Sequence, residues 1–145
     1  MNILKIVTIG FLILETANVI TLYFSPGSTI ANGVGVFKAW EKSKSDPEMH
    51  RFIKYLINWV AGTKLIFILL LVVILYTIDD ENLVLIGMAL AISIASFFWR
   101  LFPLIREMDR NNEITPKNYS VILGGMIIAF VSVFLVATIV TMASF

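Results

Sequence analysis

Four long apolar runs decide what this chain can fold into. They cover residues 3–24, 55–78, 83–102 and 119–142, each 20 to 24 residues long. At about 1.5 Å of rise per residue, a helix of that length reaches about 30 Å or more, the thickness of a bilayer's hydrocarbon core. Soluble core helices are rarely so long and so apolar on every face. The rest of the sequence has too little polarity to compensate. Of 145 residues, 59% are hydrophobic and 14% charged, against roughly 25% charged in an ordinary soluble domain. So much apolar surface requires an apolar solvent, and the lipid bilayer is the partner this predicts.

β-branched clusters, as in residues 69–74 and 131–136, favour strands in water. In lipid every backbone polar group needs an internal partner, so runs this long are read as helices. A transmembrane barrel needs segments of about 10 residues that alternate polar with apolar, and none occur. The sequence therefore predicts one integral membrane domain over residues 1–145, an all-α antiparallel bundle of four transmembrane helices. The first run starts close to Met1 and holds Lys5, as a secretory leader does. It is too long for a leader's apolar region, carries Glu15 and Asn18, and lacks a small-residue cleavage motif, so a retained span is expected.

Local signals set the boundaries. Asp46 before Pro47, and Thr115 before Pro116, each place a capping side chain ahead of a proline suited to a first helical turn. The second helix is expected to begin near residue 47, well before its apolar part, and the fourth near residue 116. Pro103 is expected to kink or end the third. The short acidic connection Asp79, Asp80, Glu81 and Asn82 predicts an antiparallel hairpin of the second and third helices. The first loop, residues 25–46, is long and begins irregularly, with Pro26, Gly27, Gly33 and Gly35. Val34, Phe37 and Trp40 then share one helical face. Either a short interfacial helix or an irregular loop accounts for that pattern.

The distribution of Lys and Arg predicts orientation. Lys38, Lys42, Lys44, Arg51 and Lys54 flank the first loop, and Arg100, Arg106, Arg110 and Lys117 flank the third. Lys5 alone lies at the other side, and Lys64 lies inside a span. Nine against one puts the first and third loops in the cytoplasm and both termini outside a cell membrane. Trp40, Trp59 and Trp99 fall near the same boundary as the basic loops.

Ionisable groups near mid-span cost about 2.5–3.5 kcal/mol on insertion scales, so they turn toward protein, water or a partner. Glu15, Lys64 and Ser93 each lie nine residues from the basic boundary of their spans, a depth of about 14 Å. Asn18 shares a face with Glu15, and Ser93, Ser96 and Arg100 share a face of the third helix. Asn58 lies about 120° around the axis from Lys64. These seven residues define a candidate polar site. In its functional form Glu15 pairs with Lys64 while Asn18, Asn58, Ser93, Ser96 and Arg100 line a cytoplasm-facing cavity for a small polar solute or a proton. In its structural form the pair bridges two helices and the serines join others, or Lys64 extends to the surface and leaves Glu15 to pair with Arg100 or stay neutral.

Other chemistry finds little support. There is no cysteine and one histidine, His50, which argues against thiolate or histidine-clustered metal sites within a chain. His50 is read as a solvated first-turn residue. A net charge of +1 offers no field for nucleic acid. Hydrolase, metalloprotease and nucleotide-binding motifs are missing, so neither an enzyme nor a cofactor is expected. Gly124 and Gly125 permit a close helix neighbour or a second copy. Two classes of function stand against each other. One is a small solute- or proton-handling protein, acting as an oligomer. The other is an accessory, assembly or immunity-type protein packed against a larger membrane partner.

Overall fold

A computed structural model describes residues 2–144. Four helical spans, long and apolar enough to cross a membrane, form an all-α bundle. Helix α1 is Ile3–Phe24, α2 Lys38–Ser43, α3 Pro47–Thr77, α4 Asp80–Ala95, α5 Phe97–Arg110 and α6 Tyr119–Met142. Helices α4 and α5 together make the third span. The termini meet at one end, where the Thr141 hydroxyl donates to Asn2 Oδ1 at 2.6 Å. The same Asn2 oxygen caps α1 through the Leu4 N–H.

The bundle is open rather than closed. Helix α4 packs mainly on α6, and α1 packs on both α3 and α6, whereas α3 leans chiefly on α1. The expected hairpin of the second and third spans is connected but not packed as a pair. One core runs through α1, α3, α4 and α6, with Leu4, Leu83 and Phe134 fully buried. Phe11 joins three helices edge-on, with ring centroids 6.3 Å from Phe67, 6.0 Å from Phe130 and 5.4 Å from Phe134. Such pairs contribute about 0.5–1.5 kcal/mol each beyond area burial. Close approach of α4 depends on Gly87, because a Cβ there would run into the Thr138 hydroxyl and lie 2.9 Å from Leu4 Cδ2.

The cap at Asp46 is as expected: its carboxylate accepts the N–H groups of Glu48 at 3.0 Å and Met49 at 3.1 Å, with Pro47 in the first turn. The fourth helix starts three residues past Pro116 and is capped differently. Asp109, from the end of α5, accepts from the N–H groups of Asn118 and Ser120 and from the Ser120 hydroxyl, at 3.1, 3.0 and 2.6 Å. The Thr115 side chain does not cap α6, and its backbone N–H donates to the Val36 carbonyl of the first loop at 2.9 Å. The third span is interrupted only at Ser96, whose backbone stays right-handed helical (φ −59°, ψ −19°), and Pro103 sits inside α5 rather than ending the span. The Ser96 hydroxyl donates to the Ser93 carbonyl at 2.6 Å, competing with the helical N–H for that acceptor.

The first loop is folded, and it contains the short helix. Trp40 on α2 is buried with Leu22, Ile57 and Ala61 under α1 and α3. Val36 is buried with Ile105 and Ile114 under α5 and α6, with Phe37 against them. Phe37 and Ile114 form an antiparallel bridge between the first and third loops. The two basic loops thus interlock at one end of the bundle.

Candidate functional site

The contact face of α1 follows steps of four and three through Leu4, Thr8, Leu12, Val19 and Leu22, all buried. Glu15 occupies the step between Leu12 and Val19. On α3 the same rhythm runs through Ile57, Ala61, Ile68 and Leu71, and Lys64 fills the step between Ala61 and Ile68. Steps of three and four keep these positions on one face of each helix. Both charges therefore point into the seam between α1 and α3.

There they meet. Lys64 Nζ donates to Glu15 Oε2 in an ion pair. The other carboxylate oxygen, Oε1, accepts from Asn18 Nδ2 at 3.2 Å. The side chains of Lys64 and Glu15 keep 26% and 16% of their surface, so the pair sits at the edge of the seam, not sealed within it. Each carboxylate oxygen has a donor, and the single mid-span cation has its anion. Among the described residues, Arg100 makes no ion pair with Glu15.

The other four residues stand apart. Asn58 is exposed on the flank of α3 away from Lys64, and its amide has no hydrogen-bond partner among the described residues. Ser93, Ser96 and Arg100 are exposed as well. The buried face of the third span is Leu83, Val84, Leu90 and Ala91, and these three lie on its other side. The Arg100 guanidinium lies 6.0 Å from the Trp99 ring, near the boundary it can reach by extension. Two cavities stand out, neither lined by any of the seven residues. One, of about 370 Å³, is an apolar groove between α1 and α6 that includes Gly10, Leu14, Ala129 and Phe130. The other, of about 420 Å³, lies at the basic end beside α5. Of the seven residues, the structure brings Glu15, Asn18 and Lys64 together and leaves the other four apart from them.

Sequence reasoning missed two polar arrangements, both at the basic end. His50 is half-buried rather than solvated, with Nδ1 2.8 Å from the Ser43 hydroxyl and its ring 4.7 Å from that of Trp40. The other is the Asp109 bracket on α6. Neither has a fixed sequence spacing, because each joins a loop to a helix end. Gly124 packs on Phe102, whereas Gly125 faces open space. Compared with known protein families, curated proteins and solved structures, the chain matches none of them.

Proposed function

We propose that the protein is an accessory membrane subunit, without enzymatic activity, that packs its α3 flank against a larger partner in the bilayer. One observation carries this reading. Helix α3 is 31 residues long, leans chiefly on α1, and presents Asn58, with an unpartnered amide, on its open flank. Its most apolar stretch is 17% buried, against 22% in each of the other three spans. Asn58 lies three residues into the span, beside Trp59 at the headgroup boundary, where a partner helix competes with water and headgroups to satisfy such an amide. Glu15 and Lys64 serve to fix the register of α1 on α3, as buried polar pairs do in other helix pairs. Solute or proton handling has less support, because the two charges satisfy each other and the remaining polar residues do not converge on them. The nine-to-one distribution of basic residues supports placing the interlocked loops in the cytoplasm and both termini outside.

The chain has no cysteine, so single-cysteine variants report cleanly. In native membranes, Asn58→Cys labelled with a maleimide–diazirine photocrosslinker, which captures a neighbour without needing a second thiol, is expected to give one discrete larger species on illumination. Val136→Cys, exposed on α6, is expected to give none. The reading falls if Asn58→Cys stays monomeric while a cysteine at Asn18 reacts with a water-soluble maleimide added from the side of the basic loops. That pair of results would restore a hydrated cavity.

A further inference from the structure

Helix α5 leaves the bundle core as an amphipathic segment. Pro103, Arg106, Glu107 and Arg110 follow one another by three, one and three residues, which puts them on one face. With Phe102 and Asn111 they line the open cavity of about 420 Å³ at the basic end. The cavity straddles a chemical boundary. Phe102 and Pro103 continue the apolar span, and the arginines begin one turn beyond them.

Both guanidiniums are exposed. Neither makes an ion pair among the described residues, although Glu107 lies between them in sequence on the same face. An arginine without an intramolecular counter-ion remains available to an external anion. Two guanidiniums one helical turn apart offer planar donor forks to the non-bridging oxygens of one phosphate. The Glu107 carboxylate, still without a cation, is an acceptor for a hydroxyl or ammonium group placed beyond that phosphate. The apolar wall suits the first carbons of a glycerol ester.

We propose that this cavity binds the headgroup of a phospholipid from the adjacent leaflet. Arg106 and Arg110 hold the phosphate diester, and Glu107 accepts from a donor-bearing headgroup such as glycerol or ethanolamine. A choline headgroup, which has no N–H or O–H, lacks that last contact. A free phosphate shares the arginine chemistry but has no use for the apolar wall. The inference stands on the α5 face alone and is independent of what covers α3.

The test uses the full-length protein in dodecyl maltoside, with bound lipid counted by native mass spectrometry. Phosphatidylglycerol, phosphatidylethanolamine and phosphatidylcholine are supplied at equal concentration. Wild type is expected to retain one glycerol or ethanolamine lipid in preference to the choline lipid. Arg106→Gln with Arg110→Gln is expected to weaken that retention roughly thirtyfold, from the loss of two cation contacts at a membrane surface. Arg51→Gln, an exposed cation at the same end of α3, is expected to change it little. Glu107→Gln is expected to erase the preference over choline while binding persists. Equal retention by the double arginine variant and wild type overturns the site, and an undiminished preference in Glu107→Gln overturns the role of Glu107. Wild type alone supplies a further arm that needs no folded variant. Displacement of the lipid by millimolar inorganic phosphate would assign the site to a free anion and overturn the lipid.

Discussion

The ion pair in the α1–α3 seam makes a quantitative prediction. Lys64→Met removes the cation and leaves Glu15 with only the Asn18 amide, at 3.2 Å. An uncompensated charge near mid-span costs about 2.5–3.5 kcal/mol on insertion scales. The seam-edge position, with 16% of the Glu15 side chain exposed, admits some solvent or headgroup contact. A loss of about 2 kcal/mol is therefore expected, below the upper range for breaking fully buried pairs. Glu15→Gln is milder, because a Gln carbonyl still accepts from Lys64 and the long Lys stem can carry its charge toward the boundary. About 1 kcal/mol is expected there.

The double variant separates charge from packing. Glutamine and methionine nearly match the volumes of the side chains they replace, so cavity terms are small, and no charge remains unpaired. It should fall within about 1 kcal/mol of wild type, whereas simple addition of the single losses gives about 3 kcal/mol. The coupling is then about 2 kcal/mol, readable from reversible unfolding in mixed dodecyl maltoside–SDS micelles followed by circular dichroism. Additive losses in the double variant would refute the pairing. A neutral Lys64→Met would refute the claim that Glu15 depends on it.

Three further outcomes follow from the packing. Asp109→Ala strips three donors of their acceptor at the start of α6. It should cost about 1–2 kcal/mol, as lost helix caps do, with faster hydrogen exchange at the Ser120 amide as the readout. Gly124→Val should destabilise by about 1–3 kcal/mol, because a Cβ there lies 2.8 Å from Phe102 Cε2, while Gly125→Val meets open space and should be close to neutral in the same unfolding assay. Alkaline phosphatase and green fluorescent protein fusions at the two termini should report the same side for both, because Asn2 and Thr141 touch. Opposite reports would contradict the four-span topology.

The four spans were legible because their signal is gross: length and apolarity need no knowledge of neighbours. The cap at Asp46 was legible because its partners, Glu48 and Met49, are adjacent in sequence. The cap on α6 was not, since Asp109 reaches Ser120 across a loop. The interruption at Ser96, where the side-chain hydroxyl bonds the Ser93 carbonyl, has no signal as plain as a proline, and Pro103 drew the sequence reading instead. The first loop left two readings open because Val34, Phe37 and Trp40 share a helical face only if the helix is continuous. In the structure Trp40 packs under α1 and α3 while Phe37 packs toward α5 and α6.

The polar residues show where depth alone misleads. Counting from a boundary places Glu15, Lys64 and Ser93 at one level, and counting cannot say which way each one faces. The seams can. Glu15 takes the missing step between Leu12 and Val19, and Lys64 the one between Ala61 and Ile68, so each charge interrupts an otherwise apolar contact series. A charge in that position must find its counter-charge on the facing helix or destabilise the pair. Ser93 falls outside the series Leu83, Leu90 and Ala91, and Asn58 falls beside Ile57 rather than on its line. A hydroxyl or amide off the seam costs its own helix little to leave outward, and becomes costly only when lipid is what it meets. The seven candidates thus divide by seam position: Glu15, Asn18 and Lys64 lie at the α1–α3 seam, and Asn58, Ser93, Ser96 and Arg100 lie off it.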